Sequence, residues 1–357
     1  MQYNWIKNVA DVSSDCAIIE FYDMFTQKIK PYTLPENLTR LKFGYYFNQK
    51  IEPNTFPNKL TSLTFGCRFN QKIEPNTLPE NLTTLNFGYF FRQKIEPKIL
   101  PNNLTTLKIG DKFNKKIEPN NLPKYLTTLI FGLNFNKKIK PNTLPKKLTT
   151  LAFGQNFNKN IEPNILPKYL TTLTFGYYFN QKIEPNTLPE KLTTLTFGYK
   201  FNQGIELNTL PENLTTLTFG YEFNQGIELN TLPEKLTTLT FGNEFNQKIN
   251  SEILPSNLKN INFNWVHLNK NNLFERYIEM VNNIPNYYHV EILLENNIFG
   301  DNGPKWSIHV VHYIENKWSP DIYEIQDKYI HPIHDSIRVL INKETYQPYS
   351  PAKSAFK

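Results

Sequence analysis

The sequence predicts a β-rich solenoid of 22-residue coils followed by a small α+β cap at its C-terminal end. Three observations lead there. The 357-residue chain repeats every 22 residues without a slip, and the leucine opening each unit stands at Leu38, Leu60, Leu82, Leu104, Leu126, Leu148, Leu170, Leu192, Leu214, Leu236 and Leu258. The apolar residues within a unit fit neither a helical period nor strict alternation. Aromatic and proline residues keep to fixed columns: 22 of the 27 Phe fall in two of them and 19 of the 25 Pro in two others. A constant period of this length is the mark of a stacked-repeat architecture, in which one unit cannot bury its apolar face alone.

Residues 1–15, with Trp5 and Ile6, are expected to cover the first coil. A degenerate unit then puts Cys16, Ile19, Phe21 and Phe25 in register; eleven full units span 16–257, and a half unit ends near Trp265. In the unit 170–191 the apolar columns are Leu170, Leu173, Phe175, Phe179, Ile183 and Leu188. Their uneven spacing predicts one solenoid turn that changes direction several times and aims each apolar residue at a shared axis. The alternation of Thr172, Leu173, Thr174 and Phe175 predicts a short strand with threonine outside. Gly176 is expected to permit a tight bend, and Pro185 and Pro189 fix φ on the return path. At about 4.8 Å per stacked strand, eleven coils would span roughly 50 Å. Beyond Leu258 the pattern loses its glycine, since Asn264 stands there, and all six histidines follow. The segment 266–357 is expected to fold as the cap, with a helix over 273–284 stopping before Pro285, strands over 288–294, 306–314 and 336–341, and a loose end at 348–357.

Composition excludes several classes. Mean hydropathy is −0.50, yet 27 Phe and 20 Tyr are too many for a disordered chain. No apolar run approaches the roughly 18 residues of a membrane span, and the start lacks a secretory pattern, so neither membrane insertion nor secretion is expected. Two cysteines cannot build a disulfide framework, which fits a reducing compartment such as the cytoplasm.

The unit Leu-Thr-Thr-Leu-x-Phe-Gly-x-x-Phe-Asn-Gln-Lys-Ile-x-Pro-Asn-x-Leu-Pro resembles the FNIP repeat, found in amoebal proteins and in giant viruses that infect amoebae. The resemblance covers about two thirds of the chain. It implies a leucine-rich-repeat-like solenoid, a non-enzymatic protein-interaction scaffold, and host cytoplasm as the location if the protein is viral. Many members carry an N-terminal F-box; residues 1–15 are too short for that helical module. The Phe179-Asn180 pair departs from the usual leucine-rich pattern, which leaves curvature and handedness open.

Comparing the units with one another shows which columns vary. The asparagine column (48, 70, 114, 136, 158, 180, 202, 224 and 246, with Arg92 the exception) is nearly uniform, and it is read as amides stacked coil on coil to satisfy backbone groups. The two residues after each glycine differ from coil to coil and should form one ridge at the strand exit. Tyr45, Tyr46, Arg68, Tyr89, Phe90, Tyr177, Tyr178, Tyr199, Lys200, Tyr221 and Glu222 are the candidate partner-binding residues, because large aromatics and arginine anchor protein interfaces. Relaxed drift on a solvated edge, or packing of these rings on their neighbours, is the plainer explanation.

Charge is also uneven. Residues 104–169 carry a net +9 and residues 192–257 a net −4, within an overall +7. Lys115, Lys116, Lys137, Lys138, Lys140, Lys146, Lys147 and Lys159 would cluster as a basic belt able to meet phosphate or an acidic protein. A solubilising face explains it more simply, and nucleic acid is the lesser alternative. The threonine file on the strands suits β-propensity better than ice binding. His309 and His312 would face opposite sides of a strand, and His331, His334 and Asp335 in a turn are a weak metal set. No phosphate loop or nucleotide fingerprint is present. Neither catalytic residues nor a cofactor or metal are therefore expected. The favoured function is a scaffold that binds a protein along the ridge. The alternatives are polyanion binding through the belt, and a ubiquitin-ligase-type adaptor that recruits cellular machinery through 266–357.

Overall fold

The computed structural model describes residues 6–247, 249 and 251–263, together with the backbones of 289–295 and 305–311. Each coil contributes one short strand, in chain order β1 (Ile18–Glu20), β2 (Arg40–Lys42), β3 (Ser62–Thr64), β4 (Thr84–Asn86), β5 (Thr106–Lys108), β6 (Thr128–Ile130) and β7 (Thr150–Ala152). The series continues with β8 (Thr172–Thr174), β9 (Thr194–Thr196), β10 (Thr216–Thr218), β11 (Thr238–Phe241) and β12 (Asn260–Phe263). All twelve run parallel in sequential order, and each residue pairs with the one 22 positions away, as Leu173 does with Leu151 and Leu195. The protein is a parallel β-solenoid.

The core is the set of columns that the periodicity picks out. Leu170, Leu173 and Phe179 are 0% exposed, and Phe175, Ile183 and Leu188 are buried beside them. Within a coil the two Phe rings stack face to face, with Phe175 and Phe179 3.8 Å apart. Such stacked aromatic contacts add to the large apolar area each ring removes from water.

The bend expected at Gly176 is there, closed by the Phe179 N–H donating to the Gly176 carbonyl at 3.1 Å, but it is not what requires glycine. No left-handed φ occurs at Gly176. Instead, a Cβ placed there would lie 1.9 Å from the Gly154 carbonyl oxygen, so the column is glycine because successive coils touch at that point. The left-handed residue is the asparagine after the first proline: Asn186 has φ 63°, and the same column includes Tyr32 and Lys98. Pro185 and Asn186 occupy the middle of a tight turn closed by the Thr187 N–H donating to the Glu184 carbonyl at 3.1 Å.

Coil-to-coil contacts differ around the circumference, and this difference bends the stack. On the strand side the backbones bond directly. Thr193 N–H donates to Thr171 O at 2.9 Å, Phe197 to Thr218 O at 2.8 Å and Lys200 to Tyr177 O at 2.9 Å. At the asparagine column a side chain spans a wider gap, the Asn180 N–H donating to Asn158 Oδ1 at 3.0 Å. Residues 181–191 make no backbone-to-backbone hydrogen bond to a neighbouring coil. Ring spacings follow the same trend: 4.5 Å for Tyr177–Tyr199, 5.6 Å for Phe175–Phe197 and 6.1 Å for Phe179–Phe201. Pure translation would give every column one spacing. The coils therefore fan open away from the strands, and the sheet lies on the concave side.

At the N-terminal end Ile6 bridges Phe21, and Ile6, Val9 and Val12 pack on the core; Trp5 lies outside the described residues. Beyond the last coil β13 (His289–Glu295) pairs parallel with β12, and β14 (Lys305–Val311) pairs antiparallel with β13. These strands match two of those predicted and extend the solenoid's own sheet. The helix expected over 273–284, the strand over 336–341 and the end at 348–357 lie outside the described residues.

Candidate interaction surface

The ridge exists, and its backbone is held by the coil-to-coil bonds just described; the Tyr178 N–H, for example, donates to Gln155 O at 2.9 Å. Its side chains form two groups. In the first, the Arg68 guanidinium lies 5.8 Å from the ring centres of Tyr45 and Tyr46 and 4.9 Å from that of Phe90, within cation–π range of all three. Tyr89 packs edge-on against Phe90, and Lys112 lies 5.3 Å over its ring. In the second group Tyr177, Tyr199 and Tyr221 stack in one row at 4.5 and 4.4 Å, and Asn243 Nδ2 donates to Tyr221 Oη at 3.0 Å. Burial, then the neighbouring Tyr199, raises the Tyr221 phenol above its ordinary pKa. Lys200 and Glu222 form an ion pair, and the hydrogen bond that Lys200 donates to Glu222 raises the lysine's pKa.

Stacking changes how much of the ridge is available. Tyr46 and Tyr178 remain 43% and 47% exposed, whereas Tyr89, Phe90, Tyr177, Tyr199 and Tyr221 are half-buried against neighbouring coils. The ridge thus combines exposed rings at Tyr45, Tyr46 and Tyr178 with half-buried ones stacked between coils.

The basic belt does not form one patch. Lys138 pairs with Glu162 at 2.6 Å and Lys140 with Glu118 at 2.8 Å; Lys147 lies 4.5 Å over the Tyr125 ring. The hydrogen bond from Lys140, followed by its charge, holds the Glu118 carboxyl below the usual range. Lys115, Lys116, Lys137 and Lys159 follow the asparagine column, while Lys146 and Lys147 sit on the turn before Leu148, a different side of the coil.

The asparagine column behaves as a ladder: from Asn48 to Asn224 each Oδ1 accepts the backbone N–H of the next coil, as in Asn70 to Asn48 and Asn202 to Asn180, both at 2.9 Å. Two features escaped the sequence reading. Tyr125 and Tyr169 are each flanked by two lysines at 4.5–4.8 Å. A polar notch also opens where Asn134 and Asn156 replace the ridge's bulky side chains. Adding 22 to each residue number, and comparing side-chain size rather than apolarity, would have found both. Cys16 and Cys67 are free thiols, and His331, His334 and Asp335 lie outside the described residues. Among the described residues no helix is long and apolar enough to cross a membrane.

No curated protein matches the chain. One solved structure similar to it is that of CroV588, a giant-virus protein described as a circular leucine-rich-repeat protein. It is 40% identical with a TM-score of 0.69, over 81% of this chain and 48% of the CroV588 chain, so the present chain spans about half that protein's length. The FNIP Repeat family profile matches residues 25–68, 69–112, 113–156, 157–200 and 201–244, two coils at a time. With more than half its length matched in that register, the chain belongs to the FNIP Repeat family.

Proposed function

We propose that the protein is a non-enzymatic scaffold that binds a partner protein along its strand-exit ridge. The single observation that supports this best is the nest of Arg68 among Tyr45, Tyr46 and Phe90, on a frame whose apolar columns are nearly uniform. Arginine and tyrosine dominate protein-interface hot spots, and a pre-stacked anchor loses little conformational freedom on binding. A concave sheet side brings ridge residues of distant coils toward one convex partner. Binding of polyanions in general has less support, since the belt divides between two sides of the coil and several of its lysines are already engaged. Two free thiols accord with work in a reducing compartment such as the cytoplasm.

The test is affinity purification from the host cell with the wild-type chain, the triple variant Tyr45→Ala/Tyr46→Ala/Arg68→Ala, and a control pair Leu207→Ala/Leu229→Ala on the return turn. The partner enriched by wild type should be lost from the triple variant and kept by the control. Equal recovery by all three, with unfolding curves intact, would remove the ridge from consideration.

A further inference from the structure

The ridge is interrupted once. At its second position most coils carry a long or ring-bearing side chain, as at Tyr46, Arg68, Phe90, Tyr178, Lys200 and Glu222. Two successive coils carry asparagine instead, Asn134 and Asn156. There a notch of about 530 Å³ opens, lined by Lys112, Asn114, Asn134, Asn136, Asn156, Asn158 and Tyr178. Its geometry follows from alternation: Phe113, Phe135 and Phe157 point into the core at 0% exposure, so the residues on either side of each face outward together.

The notch is lined by partly used amides: Asn156 Nδ2 donates to Asn134 Oδ1 at 3.0 Å, which leaves the second N–H of Asn156, both N–H groups of Asn134 and at least one lone pair on each oxygen outside that bond. Asn114 and Asn136 each accept one backbone N–H from the next coil, at 3.0 and 3.1 Å. In neighbouring coils the same oxygen also receives a glutamine Nε2, from Gln93 to Asn70 at 3.2 Å and from Gln203 to Asn180 at 3.0 Å. Lys137 and Lys159 stand where those glutamines would be, so the second lone pairs of Asn114 and Asn136 lack that cover. Ion pairs in this stretch engage Lys138 and Lys140, leaving Lys115, Lys137 and Lys159 outside them. At one end of the notch the half-exposed Tyr178 ring provides a flat apolar wall.

We propose that this notch binds an acidic carbohydrate chain. A pyranose ring presents vicinal hydroxyls around its rim, each pair matching one side-chain amide that offers a donor beside an acceptor. Its C–H faces match an aromatic wall, and carboxylates on the sugar match Lys112 and the lysines that flank the ladder. The amides recur once per coil, a step comparable to the length of one sugar ring, so successive sugars meet equivalent contacts. A protein hot spot would need an apolar pocket here, and the lining is amide.

The probe is a hyaluronan hexasaccharide, titrated calorimetrically against the full chain, with cellohexaose and a poly(U) 12-mer as comparisons. The hyaluronan fragment should bind in preference to both. Asn134→Ala/Asn156→Ala should weaken it at least tenfold with the unfolding curve unchanged, and Lys112→Ala should weaken it further. Neither change touches the Tyr45–Tyr46–Arg68 nest, so partner recovery should survive both, and the two readings fail separately. No binding of the hexasaccharide, equal binding of cellohexaose, or binding of poly(U) as tight and lost wholly with salt would each overturn the proposal.

Discussion

At the scale of single residues, two columns carry information that burial alone conceals. The glycine column is fixed by contact between coils, which makes its members unequal to Gly204 and Gly226 on the later part of their coils. Gly176→Ala would push a Cβ to 1.9 Å from the Gly154 carbonyl, whereas a Cβ at Gly204 meets nothing within 4 Å. The first change should cost about 1–3 kcal/mol or more, as overpacking against backbone does. Gly204→Ala should instead stabilise by about 0.4–1 kcal/mol, because it restricts only the unfolded chain. Urea titration of both variants checks the sign difference. The second column is Thr55, Thr77, Thr143, Thr187, Thr209 and Thr231, whose buried hydroxyls find no hydrogen-bond partner. Ile99 and Ile165 occupy the same column in two coils, and in a third the Asn121 Nδ2 reaches Ile95 O at 2.8 Å. A buried hydroxyl left unpaired is unfavourable. Thr187→Val, equal in shape, should therefore leave the melting temperature unchanged or raise it, and a clear fall would show that the hydroxyl is satisfied.

The element that matters is the coil, and its return turn can be improved from within the sequence itself. Pro185 begins the turn before left-handed Asn186, and eight coils have proline there; Leu207 and Leu229 are the unprolinated versions, with Asn208 and Asn230 keeping φ at 62° and 61°. Leu207 is 55% exposed, so little packing is lost on replacing it. Leu207→Pro should stabilise by about 0.4–1 kcal/mol through the unfolded state, read as a higher urea midpoint at unchanged slope. The coil also shows how far the sequence was legible. Its apolar columns, strand and asparagine ladder could all be read from composition and spacing, because each depends on residue type at a fixed offset. The role of glycine could not be read, since close approach and positive φ both favour that residue, and only the Gly154 carbonyl decides between them. The ridge was legible as a position but not as a surface: whether Tyr199 is an anchor or a packed ring depends on Tyr177 and Tyr221 stacking on it from either side. The notch was missed because asparagine at 134 and 156 looks like drift until the bulky neighbours it replaces are placed around it.

For the whole molecule, stability should be a sum over coils and their interfaces, because each strand pairs with its neighbours in a constant 22-residue register. Removing residues 170–191 would join Tyr169 to Leu192, and the Thr193 N–H would then face Thr149 O in place of Thr171 O, with the Leu, Phe and Asn columns still aligned. That variant should fold with unchanged circular dichroism per residue, and its urea slope should fall by roughly a tenth as less surface is exposed on unfolding. It should also bend as before, since the wider spacing of the outer phenylalanines recurs in retained coils, 5.6 Å for Phe131–Phe153 against 6.1 Å for Phe135–Phe157. Small-angle scattering would then show the same arc, shortened by one step. Removing only 170–180 would instead join Tyr169 to Gln181 and set Leu columns against turn residues at that one junction, and should split the single cooperative transition into separate ones for the coils before and after it. If the half-coil deletion unfolded like wild type, or the whole-coil deletion collapsed, the one-dimensional stack would not be what holds this protein together.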